Sequence, residues 1–138
     1  MPIASLSGVD IAYELEGNPE HPALMLVHGL GAPLSAWPQP FVDSIVEQGF
    51  QVLRFDNRDI GGSSKFDDLG VPNLMTLFLK RKFFLPAAAP YSLDDMAADT
   101  IQLLDHLKLD KVHVAGASMG GMISQLLAIQ YPDRVLSL

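Results

Sequence analysis

Ser118 is the residue best placed to do covalent chemistry. It stands in Val112-His113-Val114-Ala115-Gly116-Ala117-Ser118-Met119-Gly120-Gly121, a short apolar run that breaks at a serine with glycine two residues to either side. The β-branched Val112 and Val114 suit a strand buried on both faces. Met122 to Ile129 then turns to helical spacing, so the chain passes from strand to helix through Ser118. Gly116 and Gly120 lack the Cβ atoms that would clash where the two elements converge, and the serine between them is forced into a strained conformation with its hydroxyl exposed. That is the geometry of a nucleophile elbow. The amides just after it open a helix, where unpaired N–H groups and the helix dipole favour a developing negative charge. The same residues also fit a plain Gly/Ser turn capping an ordinary helix; their place at a strand-to-helix change favours the elbow.

The remaining elements read as scaffold for that serine. Val9, Ile11, Tyr13 and Leu15 alternate with polar or small neighbours, the period of a half-buried strand. With Ile3 to Leu6 upstream and Ser7-Gly8 between, they predict a hairpin. Ala23 to Val27 is continuously apolar, as in a central strand covered on both faces. His28-Gly29-Leu30-Gly31 opens a glycine loop, and Trp37 to Gln48 carries Phe41, Val42, Ile45 and Val46 at helical spacing, with Gly49 as the stop. Gln51 to Asp56 is the next strand, so strand, loop, helix and strand form a parallel crossover. Residues 65–90 are the least regular stretch, with a short helix predicted over 73–82. They read as a lid over a substrate pocket, as a surface-seeking segment that meets lipid, or as a loop excursion packed on its own domain, the last favoured over the lipid reading. Ser92 predicts the N-cap of a helix with Leu93, Met96, Ala97, Ile101, Leu104 and Leu107 on one stripe. Pro132 stops the elbow helix near Tyr131, and Val135 begins a further strand.

Composition sets limits on function. With 138 residues, 49% of them hydrophobic, the chain suits one domain with a substantial core. A net charge of −7 without long runs argues against nucleic acid or an anionic membrane surface as the main partner. The absence of cysteine excludes a disulfide framework and thiolate metal sites, and fits a reducing, cytoplasmic setting. The first residues lack the basic and apolar blocks of a signal peptide, and no apolar run is long enough to span a bilayer.

Four segments, His28-Gly29-Leu30-Gly31, Asp56-Asn57-Arg58-Asp59-Ile60-Gly61-Gly62-Ser63, Gly116-Ala117-Ser118-Met119-Gly120-Gly121 and Tyr131-Pro132-Asp133-Arg134-Val135, occur in an order and spacing that resembles the N-terminal half of an α/β-hydrolase. The branch resembled holds esterases, lactonases and peroxidase-like enzymes. The segments are similar to that family's HGxG oxyanion loop, its D-x-R-G-x-G-x-S turn, its G-x-S-M-G-G elbow and its YP-(D/E)-RV segment. Asp59 departs from the pattern by replacing a glycine. The resemblance implies an α/β fold with a mostly parallel sheet, an N-terminal antiparallel hairpin and helices on both faces. It makes Ser118 the nucleophile and the backbone N–H groups of Leu30 and Met119 the oxyanion hole, with water as second substrate and no cofactor or metal. A cofactor-free peroxidase or perhydrolase would share this machinery. Dehalogenases and epoxide hydrolases are disfavoured, because they use an aspartate where this chain has Ser118.

The resemblance also implies a carboxylate and a histidine base after the serine, yet no histidine follows Ser118. Each of His21, His28, His106 and His113 reads as structural. Asp133, the only carboxylate after the serine, is expected in a surface ion pair, and Asp56 is expected to order its own loop with Arg58. The expectation is therefore an incomplete domain over 1–138, ending just inside the strand after the elbow helix. It would carry the nucleophile without its base and leave an apolar sheet edge open. Such a chain is expected to act on a small-molecule ester in the complete enzyme, and to self-associate or pair with the missing C-terminal half. A catalytically incomplete scaffold that binds another chain is the competing reading.

Overall fold

The computed structural model describes residues 1–67 and 90–138. The helix expected over 73–82 and most of the 65–90 stretch, with its lid and loop readings, lie outside the described residues. Six strands are described: β1 Ile3–Ser5, β2 Asp10–Glu16, β3 Ala23–Val27, β4 Gln51–Phe55, β5 Val112–Gly116 and β6 Val135–Ser137. They form one sheet in the order β1, β2, β4, β3, β5, β6. The β1–β2 and β2–β4 pairs are antiparallel; β4–β3, β3–β5 and β5–β6 are parallel. The mostly parallel sheet with its N-terminal hairpin thus stands as expected, and the parallel pairs follow from the helical crossovers between their strands.

Three α-helices are described: α1 Gln39–Glu47, α2 Leu93–His106 and α3 Met119–Gln130. Alternation along each central strand divides the core into two layers. Met25, Val27, Leu53, Phe55, Val112 and Val114 pack with Met96, Leu103 and Leu104 of α2 and Ile123 and Leu127 of α3. Leu26 and Val52 meet Val42 of α1 in a smaller cluster on which Trp37 and Ile45 also pack. Helix α2 begins as expected with Ser92 as its cap: the Ser92 hydroxyl accepts the Asp95 N–H, and the Asp95 carboxylate accepts the Ser92 N–H. Helix α1 starts two residues later than the periodicity suggests. Trp37 and Pro38 are extended and Leu34–Ala36 form a separate 3-10 turn, because Pro38 and Pro40 suit only the first positions of a helix. No helix among the described residues is long and apolar enough to cross a membrane.

The last strand pairs with β5 only near its start, through Val112 with Val135 and His113 with Ser137. Beyond that pairing Ala115 and Gly116 are exposed. Within β6, Leu136 is 50% exposed, an unusual state for a strand in a parallel sheet, and Leu138 just after it is 61% exposed.

Candidate active site

Two loops meet at the C-terminal ends of β3 and β5. Between β5 and α3, Ser118 adopts φ 55° and ψ −121°, a conformation that a non-glycine residue takes only when its surroundings impose it. Those surroundings are the two glycines. A Cβ on Gly116 would lie 2.5 Å from the Gly120 carbonyl oxygen and 2.5 Å from Ser124 Oγ. One on Gly120 would lie 2.6 Å from the His28 carbonyl oxygen and collide with that of Val27 as well. With both side chains absent, α3 seats directly on the end of β3, and the Ala117 N–H donates to the Val27 carbonyl at 3.0 Å. The Ser118 hydroxyl caps nothing: it stands at the N-cap position of α3 but makes no capping bond, and the residue is exposed. An ordinary capping serine would have an extended backbone and spend its oxygen on the N2 or N3 amide, so the plain-turn reading does not describe this junction.

Met119 opens α3, so its N–H has no partner one turn earlier in the helix. The HGLG loop faces the serine across a narrow gap, and a Cβ on Gly29 would lie 3.1 Å from Ser118 Cβ and 3.6 Å from Oγ. Leu30, the next residue, is 80% exposed. The elements thus bring together Ser118, Met119 and the backbone around Gly29 and Leu30.

The HGLG loop is held from the turn after β4. Buried Asp56 accepts the Leu34 N–H through Oδ1 at 2.6 Å and the Gly62 N–H through Oδ2 at 2.8 Å, and Asn57 Nδ2 donates to the His28 carbonyl at 3.4 Å. This corrects the expected Asp56–Arg58 pairing. Arg58 instead makes a two-pronged ion pair with Asp99 of α2, at 2.7 and 2.8 Å, because the Asp56 carboxylate is already occupied by two backbone amides. Asp56 orders its own loop as expected, through Gly62 rather than Arg58, and holds Leu34 as well. Its place at the buried end of a central strand, where a bare carboxylate must find donors, was the available signal.

Two histidines, His113 and His21, lie at the N-terminal ends of parallel strands, away from the elbow. His113 follows the first residue of β5 and its Nδ1 lies 2.7 Å from Ser137 Oγ. Three steps of strand carry the chain from His113 to Gly116, about 10 Å, with Ala117 still before Ser118. His21 precedes β3, and His106 ends α2 with its ring against Tyr13. His28 is close to the elbow in the chain path, but its ring is buried against Trp37, with centroids 4.7 Å apart. Burial, against a weaker opposing bond to the Leu34 backbone, lowers its pKa from the usual histidine value. His28 Nε2 and Trp37 Nε1 are buried without hydrogen-bond partners among the described residues. No described side chain hydrogen-bonds the Ser118 hydroxyl. The ion pair expected of Asp133 is made by its neighbour, Arg134, which reaches Asp105 at 2.8 Å and the carbonyls of Leu109 and Asp110.

Among the described residues no group of three or more His, Cys, Asp or Glu is disposed to hold a metal ion. A cavity of about 630 Å³ lies beside the hairpin, around Tyr13, Glu16, Gln39 and Arg54, and shares no residue with the elbow or the HGLG loop.

A family model described as alpha/beta hydrolase fold matches residues 22–138. The chain is 33% identical to rhodomycin D methylesterase DnrP of Streptomyces peucetius over 140 residues, covering all of this chain and 41% of that protein. It is 31% identical to 3-oxoadipate enol-lactonase 2 of Acinetobacter baylyi, over 94% of this chain and 41% of the relative. Among solved structures, the enol-lactonase from Burkholderia xenovorans LB400 superposes with a TM-score of 0.75 at 28% identity, over 97% of this chain and 44% of that one. The chain therefore spans about two fifths of the length of the curated relatives it matches. With the strand order, the strained serine and the family match in agreement, the chain belongs to the alpha/beta hydrolase fold family.

Proposed function

We propose that this chain contributes the nucleophile and the oxyanion hole of a serine hydrolase acting on small-molecule carboxylic esters or lactones. Ser118 attacks the carbonyl carbon, the alcohol leaves, and water later releases the acid from the acyl-Ser118 intermediate. The N–H groups of Met119 and Leu30 receive the negative charge of the tetrahedral state, where losing one such donor commonly costs on the order of 3 kcal/mol of barrier lowering. The observation that carries this reading is the backbone of Ser118. A φ of 55° on an exposed serine, enforced by two glycines that admit no Cβ, is strain that a structural turn would not require. The methylesterase and enol-lactonase among its relatives support an ester or lactone as the substrate class.

The general base comes from outside these 138 residues, since none of the four histidines is placed to take the Ser118 proton. That observation also favours a second reading, in which this chain alone is a catalytically incomplete scaffold that associates with another chain. The open edge of β6 and the exposed Leu136 and Leu138 suit either self-association or pairing with a C-terminal half. A fluorophosphonate probe with intact-mass readout separates the two. The hydrolase reading expects Ser118 to label once a carboxylate- and histidine-bearing remainder is present, and Ser118→Ala to abolish the adduct. Equal labelling of Ser118→Ala in that assembly would refute it. Light scattering of the chain alone should show a dimer or larger; a folded monomer at micromolar concentration would count against association.

A further inference from the structure

We propose that Asp59 is a positioning residue: at a backbone site that calls for glycine, its carboxylate joins the Arg58 guanidinium in a clasp that binds Phe66 to Tyr91 and locks the 56–64 turn onto α2. Asp59 has φ 68°, in the left-handed region that disfavours side chains, aspartate less than most. That φ carries a backbone penalty which the carboxylate must offset. Its Oδ1 accepts the Phe66 N–H at 2.6 Å. The Phe66 and Tyr91 rings lie 5.8 Å apart, and the Arg58 guanidinium sits 5.3 Å from one centroid and 5.1 Å from the other. Arg58 in turn is held by Asp99, whose side chain is 6% exposed. Residues 25 positions apart are thereby brought to one cation, which anchors to α2.

The turn so fixed is the one whose Asp56 and Asn57 hold the HGLG loop, so order at Asp59 is passed to the loop that faces Ser118. Glycine at position 59 would relax the backbone, strand the Phe66 N–H and free Tyr91. The charged groups around Tyr91 are Asp59 and Arg58 from the turn, with Asp95 and Asp99 of α2 acting on Arg58. Burial first, then the neighbouring Asp59, push the Tyr91 phenol up to about 12. The clasp assumes nothing about catalysis, so it can fail while the hydrolase reading stands, and the reverse.

Tyrosine-ring NMR across pH on the full chain, with Tyr91→Phe assigning the resonance, reads the clasp directly. Asp59→Gly should lower the Tyr91 midpoint by about one pH unit. It should also raise the unfolding equilibrium constant by about fivefold or more, the lost charged hydrogen bond outweighing the relaxed backbone. An unmoved midpoint, or a gain in stability on Asp59→Gly, overturns the proposal. Should that variant not fold, Asp59→Asn keeps the shape and tolerance of the left-handed region while losing the charge. It too must lower the midpoint, and an unchanged titration there is equally decisive.

Discussion

Two adjacent glycines of α3 should respond to the same methyl group with opposite signs. In an exposed helix, Gly→Ala is stabilising by about 1 kcal/mol, because glycine loses more backbone entropy on folding. At Gly120 that gain meets an obstacle, since the new Cβ would lie 2.6 Å from the His28 carbonyl oxygen and collide also with that of Val27. Ordinary carbon–oxygen contacts start near about 3.3 Å, and both oxygens belong to the backbone of the central strand's end. Relief therefore requires α3 to retreat from β3 by roughly 0.7 Å or more on those figures, which stretches the 3.0 Å bond from Ala117 N–H to the Val27 carbonyl. Overpacking of this kind costs about 1–3 kcal/mol, and the strained hydrogen bond adds to it, so a net loss of about 2–3 kcal/mol is expected. At Gly121 the nearest atom to an added Cβ is the Gly116 carbonyl oxygen at 3.4 Å, an ordinary contact. Gly121→Ala should gain between a few tenths and about 1 kcal/mol. Urea unfolding followed by far-UV circular dichroism measures both, with an unchanged slope securing comparison of the midpoints. If the two variants move the midpoint in the same direction by similar amounts, the claim that Gly120 is required by contact between helix and strand is wrong.

Ser118→Gly should raise stability by about 1 kcal/mol by releasing the strain at φ 55°, while abolishing fluorophosphonate labelling in the assembly with the base-bearing remainder; a destabilised variant would show that the serine is not strained. Asp56→Ala leaves the Leu34 and Gly62 amides without their buried acceptor, so a loss of about 3 kcal/mol and faster hydrogen exchange at Leu34 are expected; unchanged exchange would place the hold on the HGLG loop elsewhere. Burial lowers the His28 pKa, so the unfolded chain takes up that proton first and stability falls as pH drops below about 6.5, levelling off once pH has passed the folded value. His28→Asn should flatten that part of the stability profile, and an identical profile in the variant would remove His28 as its source.

Features that depend on near neighbours in the chain were legible beforehand. The alternation at Val9 to Leu15 marked β2, the unbroken apolar run at Ala23 to Val27 marked a strand covered on both faces, and Ser92 marked the start of α2. Gly116 marked the elbow because the clash it avoids, with Gly120 and Ser124, is local, whereas Gly120 clears the backbone at the end of β3, which only the fold brings to it. The start of α1 was misplaced because periodicity extends through Trp37 while Pro38 and Pro40 set the boundary. The partner of Arg58 was misassigned because nearness in sequence suggested Asp56, whereas Asp99 lies 41 residues away on a helix packed against the turn. Asp59 appeared only as a missing glycine. Its positive φ and its bond to Phe66 depend on how the whole turn folds back on itself.

By itself, the amino-acid order determined the succession of strands and helices and the residue at which a strand must give way to a helix. Side-chain alternation and the steric needs of proline and of Gly116 act over a few residues and need no distant partner. Only the tertiary structure decided that Ser118 faces the Gly29 backbone, that Asp56 holds Leu34 from 22 residues away, and that the His28 ring is buried against Trp37. Those outcomes depend on which strand ends the crossovers bring side by side. A buried carboxylate or guanidinium then binds whatever donor or acceptor packing has delivered, whatever its distance along the chain.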